Sequence, residues 1–278
     1  MNVIASIPFL CLALAACCAP VHAQEESHPA RSSAEFDQSF DAAILQLQKK
    51  DFGDDLSGPA LGATSSDGFQ KSVQAIKDTW NTLATSRGSR NETYDVILQA
   101  GHYGRTAGKV GTSGKLVSEQ QLAAYLVRRI AEALSQQGKL KVLTLSADEY
   151  TPRLKGRLFL AIHADGSKKP CATGPSLSYQ KNNSTLAMHA VGWALSQALG
   201  YQYDQFRKDG FTANAAHYYM FSQVDAPVMK GLLEVGELTC PEMERRLVAG
   251  ADAIAANVAK ALLFVHDAHA SVNAVSAR

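Results

Sequence analysis

Beyond Glu92 the chain alternates short apolar runs with longer stretches of helical periodicity, a pattern that few folds accommodate. Apolar runs at residues 94–100, 141–145, 157–162, 218–221 and 231–235 read as buried strands. The spacing of apolar residues across 117–137, 184–199 and 241–265 reads as helices. A strand that is apolar on both faces needs cover on both. The expected fold is therefore α/β, a largely parallel open sheet with helices on both faces. In such sheets functional groups gather at the carboxyl ends of the strands.

Ahead of this domain, Phe36, Phe40, Ile44 and Leu47 recur at helical spacing, and so do Phe69, Val73, Ile76, Trp80 and Leu83. Residues 24–91 thus read as a two-helix segment ending in the polar linker 86–91, the α/β domain as 92–266, and 267–278 as a flexible tail. Residues 4–16 form an apolar run too short to span a membrane, and Val21-His22-Ala23 offers a cleavage site before Gln24. Residues 1–23 therefore read as an export signal. No Lys or Arg precedes Arg31, however, and Leu14-Ala15-Ala16-Cys17 is also compatible with a lipoprotein leader that ends before a lipidated Cys17. Either processing route exports the chain, to the periplasm or beyond, with an outer-membrane lipid anchor in the second case. No other apolar run is long enough for a transmembrane helix. The net charge of +1 argues against a nucleic-acid binder, which needs a clear excess of Lys and Arg. Cleavage after Ala23 leaves Cys171 and Cys240, which suggests a disulfide in an oxidising compartment; two buried free thiols are the alternative.

Two histidines stand where strands end. His102 follows the run 94–101, and His163 follows Leu158-Phe159-Leu160-Ala161-Ile162. One such residue often only caps its strand, but two at equivalent strand ends can converge on one zinc ion. Gly101 and Gly104 would let the loop turn sharply beside it. The third ligand is expected from Glu119. Ser118 and Gln121 form a capping-box pattern that places Glu119 in the first turn of a helix, where complementing the helix dipole is the competing use. Glu234 interrupts Leu232-Leu233-Glu234-Val235, where a carboxylate is costly unless it serves chemistry, so it is the candidate general base and acid. Asp165, Arg207 and His217 are candidates for touching substrate. The chain has no Gly-x-Ser-x-Gly elbow, which disfavours a serine hydrolase.

Ile97-Leu98-Gln99-Ala100-Gly101-His102, Ser118-Glu119, Leu160-Ala161-Ile162-His163-Ala164-Asp165, Ala226-Pro227, Leu232-Leu233-Glu234-Val235-Gly236 and Pro241-Glu242 occur in that order. Together they resemble the zinc-dependent N-acetylmuramoyl-L-alanine amidases of the cell-wall hydrolase type, over roughly residues 94–266. The resemblance implies one zinc per chain bound by His102, Glu119 and His163, a catalytic Glu234, and peptidoglycan as substrate. The bond cleaved would join N-acetylmuramic acid to L-alanine. Relatives usually carry an aromatic residue where Glu237 stands and an asparagine near Cys240. Those departures keep open a zinc amidase or peptidase acting on another amide, and a non-catalytic wall-binding protein. Division-associated relatives carry an inserted helix that blocks the zinc. Here only residues 166–183 separate His163 from the next helix, so the site is expected to be open by default.

Overall fold

A computed structural model of the chain describes residues 65–137, 140–179, 185–200 and 215–276. The leader with Cys17, the helix expected near residues 33–50, and Arg207 lie outside the described residues.

The first described helix, α1 (Ser66–Thr79), is capped by Ser65, whose hydroxyl accepts the Gly68 N–H at 3.2 Å. It buries Val73 and Ile76. Strands β1 (Thr93–Ala100), β2 (Val142–Leu145), β3 (Leu154–Asp165) and β6 (Met229–Glu237) form the parallel part of one sheet, with β4 (Ser176–Tyr179) antiparallel on its edge. The order is β2-β1-β3-β6-β4, and the short β5 (Val224–Asp225) pairs with the amino end of β3. Helices α2 (Glu119–Gln137), α3 (Thr185–Leu199), α4 (Pro241–Ala249) and α5 (Ala251–Ser276) complete the α/β fold.

The two faces of the sheet are covered differently. Val96, Leu98, Leu158, Leu160, Ile162 and Leu233 point into a core shared with α1, α2, α3, α4 and α5. Ile97, Phe159, Ala161 and Leu232 point the other way, onto Ala215, Met220 and Phe221. Among the described residues this second face is covered by two short 3₁₀ helices, Ala215–His217 and Tyr219–Ser222. Because strand side chains alternate, Gln99, His163 and Glu234 belong to the second face.

The element bounds differ from the sequence expectation in places. Residues 218–221 are not a strand. Their backbone closes on itself, with Phe221 N–H donating to Tyr218 O at 3.0 Å, so that Met220 and Phe221 plug the sheet face. The expected helix 241–265 is two helices bent by 69° at Gly250, and the second runs on to Ser276 instead of fraying beyond residue 266. The edge strand β4 alternates serine with Leu177 and Tyr179, and β5 has only two residues, so neither registers as an apolar run. No single helix among the described residues is long and apolar enough to cross a membrane.

Candidate active site

β1 ends at Ala100 and the chain turns back immediately, with His102 in the left-handed region at φ +56° and Gly104 at +89°. Gly101 does not itself need a left-handed backbone. A Cβ at that position would lie 2.6 Å from His163 Nδ1, so the glycine lets the imidazole of β3 lie against the β1 turn. The two histidine rings meet edge to face, with centroids 5.0 Å apart.

Glu119 opens α2 as its spacing predicts. The Ser118 N–H donates to Gln121 Oε1 at 2.9 Å, and the Gln121 N–H donates to Ser118 Oγ at 3.3 Å. Its carboxylate reaches both rings. Oε1 lies 3.0 Å from His163 Nδ1 and 3.4 Å from His102 Nε2, while Thr112 N–H donates to Oε2 at 2.9 Å. Burial acts to raise the Glu119 carboxyl, but the His163 contact, the two imidazoles and the Thr112 N–H outweigh it and hold the group below the usual carboxylate range. Burial lowers the His102 imidazole despite the nearby Glu119. At neutral pH these groups are a neutral imidazole and an ionised carboxylate. The ligand atoms of His102, Glu119 and His163 all lie within 4.8 Å of one another. Two imidazoles and one carboxylate are a donor set that suits a catalytic zinc ion with an open position.

The outer nitrogens of both rings are occupied. His102 Nδ1 lies 2.6 Å from the Lys109 carbonyl, which fixes Nε2 as the nitrogen facing Glu119. His163 Nε2 lies 3.1 Å from the Tyr218 hydroxyl. Arg105 braces the loop behind His102 by a two-pronged pair with Asp148, at 2.7 and 2.5 Å.

Glu234 lies across the β3–β6 ladder from His163 and is 6% exposed. Its Oε2 is buried without a hydrogen-bond partner. Burial, followed by the charges of Glu119 and Asp165, pushes its carboxyl well above the usual range. Asp165 therefore sits close enough to act on Glu234, at the end of β3, where its Oδ1 accepts the Gly166 N–H at 2.8 Å. His217 is exposed at the end of its 3₁₀ turn, and it is the neighbouring Tyr218 that reaches His163.

Cys171 and Cys240 form a disulfide, with Cα atoms 4.5 Å apart. Glu237 turns toward this bridge. Its carboxylate accepts the N–H groups of Cys171 at 2.9 Å and Thr173 at 2.6 Å, together with the hydroxyls of Thr173 and Thr239. The loop after β3 is thus tied to the turn after β6 by a covalent bond and a buried carboxylate. Glu244, which the sequence reading passes over, accepts the N–H groups of Lys115, Leu116 and Val117 at 3.0, 2.7 and 3.1 Å. It pins the loop that delivers Thr112 and Glu119. Gln99 and Tyr218 were also without a role in the sequence, although Gln99 is the one polar residue in the stretch 96–100.

The sequence model of the family described as N-acetylmuramoyl-L-alanine amidase matches residues 96–263. No curated protein matches the chain. Among solved structures, the chain is similar to N-acetylmuramoyl-L-alanine amidase from Clostridium difficile 630, at 19% identity over 63% of this chain and 96% of that one, with a TM-score of 0.47. It is similar to N-acetylmuramoyl-L-alanine amidase AmiC2 of Nostoc punctiforme at 18% identity, over 63% of this chain and 97% of that one, with a TM-score of 0.46. It is also similar to the catalytic domain of CwlV, an N-acetylmuramoyl-L-alanine amidase from Bacillus (Paenibacillus) polymyxa var. colistinus. That match has 20% identity over 60% of this chain and 95% of that one, with a TM-score of 0.46.

Proposed function

The chain belongs to the N-acetylmuramoyl-L-alanine amidase family, and we propose that it is a zinc-dependent hydrolase of the amide joining N-acetylmuramic acid to L-alanine in peptidoglycan. In this reading His102 Nε2, Glu119 Oε1 and His163 Nδ1 hold one zinc ion per chain. Zinc, when bound there, supplies Lewis acidity toward the scissile carbonyl.

The observation that carries the reading is the unpartnered, buried Oε2 of Glu234 beside the His/Glu/His group. A carboxylate kept away from hydrogen bonds and pushed up in pKa is a good proton acceptor and, once protonated, a good donor. Glu234 takes a proton from the attacking water as its oxygen bonds to the carbonyl carbon. It then delivers that proton to the departing nitrogen of L-alanine as the C–N bond breaks. The departures from the family pattern at Glu237 and Cys240 are absorbed by the clamp on residues 171–173, which supports a structural use for both. Asp165, through its charge on Glu234, and Arg207 and His217 remain the proposed substrate-facing residues.

Peptidoglycan lies outside the cytoplasmic membrane, so this reading includes export. Residues 1–23 would be the leader, 24–91 an appended segment and 92–266 the catalytic domain. Cys17 is the acylated end if the leader is of the lipoprotein kind. Mass spectrometry of the mature amino terminus separates acyl-Cys17 from free Gln24. The site is proposed to work without a protein activator. Among the described residues the segment between β3 and β4 forms no helix and is held down by Glu237.

The test is release of stem peptides from purified peptidoglycan by the mature protein alone, with zinc measured by elemental analysis. About one zinc per chain is expected, with activity lost on chelation and restored by zinc. Full activity in metal-free protein would overturn the proposal.

A further inference from the structure

We propose that Tyr218 and Gln99 form a positioning relay that decides which nitrogen of His163 faces the metal. The inference rests on the zinc reading above: hydrogen bonds orient Gln99, Tyr218 and His163 Nε2, and the ion would take the lone pair that this leaves on Nδ1.

The relay starts at two backbone carbonyls. Gln99 is fully buried on β1, and its Nε2 lies 3.1 Å from both Ser146 O and Ala147 O, beyond the end of β2. Carbonyls only accept, so the amide must present its NH₂ group to them and its Oε1 the other way. Tyr219 reinforces that orientation, because its hydroxyl donates to Ala147 O and so can only accept from Gln99 Nε2, at 3.1 Å.

Gln99 Oε1 is therefore an acceptor, and the atom in front of it is the Tyr218 hydroxyl at 2.8 Å. A phenol has one hydrogen to give. With that hydrogen spent on Gln99, the oxygen faces His163 Nε2, 3.1 Å away, as an acceptor. Nε2 must carry the proton. The Nδ1 lone pair and Glu119 Oε1, 3.0 Å apart, then face each other with no proton between them, a pairing that a cation on the side of the His102 ring would satisfy.

No member of the relay can reverse alone. Turning the Gln99 amide would set its oxygen against two carbonyls, and turning the phenol would leave Gln99 Oε1 without a donor. A ligand imidazole whose outer N–H is fixed in this way binds metal more tightly than a free one, because neither ring orientation nor tautomer has to be selected on binding. Tyr218 and Gln99 thus act through His163 as positioning residues. The loop after β2 becomes part of the metal site without touching it.

The experiment is zinc affinity, measured on full-length protein by competition with a chromophoric chelator, for wild type, Tyr218→Phe, Gln99→Leu, the double variant and Tyr94→Phe. Folding of each is checked by circular dichroism. Tyr218→Phe and Gln99→Leu are each expected to weaken zinc binding by about 10- to 100-fold. The double variant should be scarcely weaker than either single one, because both break the same path. Tyr94→Phe removes a hydroxyl from the far end of the strand that carries Gln99, where it bonds Ser89 and Glu92, and should change affinity little. If one single variant fails to fold, the other decides.

A second readout is the NMR spectrum of the zinc-loaded protein. A His163 Nε2–H signal protected from solvent exchange is expected in the wild type and lost in Tyr218→Phe. Unchanged affinity with a retained protected signal in Tyr218→Phe would overturn the relay, as would an equal loss in Tyr94→Phe. A wild type that binds no zinc would instead overturn the metal reading itself, and the relay with it.

Discussion

Glu234 stands directly across the β3–β6 ladder from His163, on the sheet face that no α-helix covers among the described residues. In-register parallel strands hold neighbouring side chains at a spacing that loops cannot match, so the relation between His163 and Glu234 is set by the sheet itself. Glu234→Gln keeps the shape and removes the proton acceptor. Turnover of peptidoglycan should fall by about 10²–10⁴-fold, with the zinc content of the purified variant unchanged. Elemental analysis beside the rate separates lost chemistry from lost metal.

The same substitution makes a prediction about stability. The carboxyl of Glu234 is raised in the folded state by burial and by Glu119 and Asp165. Such a group costs nothing below its unfolded pKa, where it is protonated in both states. The cost grows as pH rises above that value and levels off above the folded pKa. In metal-free protein, Glu234→Gln should therefore melt with the wild type near about pH 4 and above it near about pH 8. Thermal unfolding at the two pH values reads the difference directly, and a gap of the same size at both would show that the carboxyl is not the cause.

Gly101 lets His163 lie against the turn after β1, because an added Cβ would come within 2.6 Å of Nδ1 and 2.7 Å of Cε1. Gly101→Ala should push the imidazole out of line and cost about 10²-fold in activity, with a matching loss of zinc. Gly174→Ala is the control, since a Cβ there meets nothing within 4 Å. Equal zinc content in the two variants would contradict the account.

The Cys171–Cys240 bridge closes a loop between residues 69 apart in sequence. Replacing both cysteines by alanine should lower unfolding free energy by about 2–4 kcal/mol, measured by urea denaturation. It should also release residues 171–173, which Glu237 alone would then hold. Hydrogen exchange at Cys171 and Thr173 in the reduced wild type checks the second point.

What the sequence discloses follows physical range. His102 and His163 are visible because each ends an apolar run, and Glu119 because a capping box marks where its helix begins. The parallel core strands are legible for the same reason, being continuous apolar runs. Tyr218 is not, because Tyr218-Tyr219-Met220-Phe221 has the composition of a strand. Only the packing of Met220 and Phe221 against the sheet makes it a 3₁₀ turn that aims the phenol at His163. Glu244 is invisible in another way, since its three backbone partners lie 127 to 129 residues earlier in the chain. Nothing local marks a carboxylate whose purpose is to hold a distant loop. Gln99 lies between these cases, because a buried amide in an apolar strand signals a partner without naming it.

The most direct measurement is mass spectrometry of the products released from purified peptidoglycan by the zinc-loaded protein, with and without chelator. Stem peptides bearing a free L-alanine amine, left beside glycan whose lactyl groups end in a carboxylate, are the result this account predicts, and chelation should abolish both. Cleavage within the stem peptide or the glycan, or the same products in the presence of chelator, would contradict it.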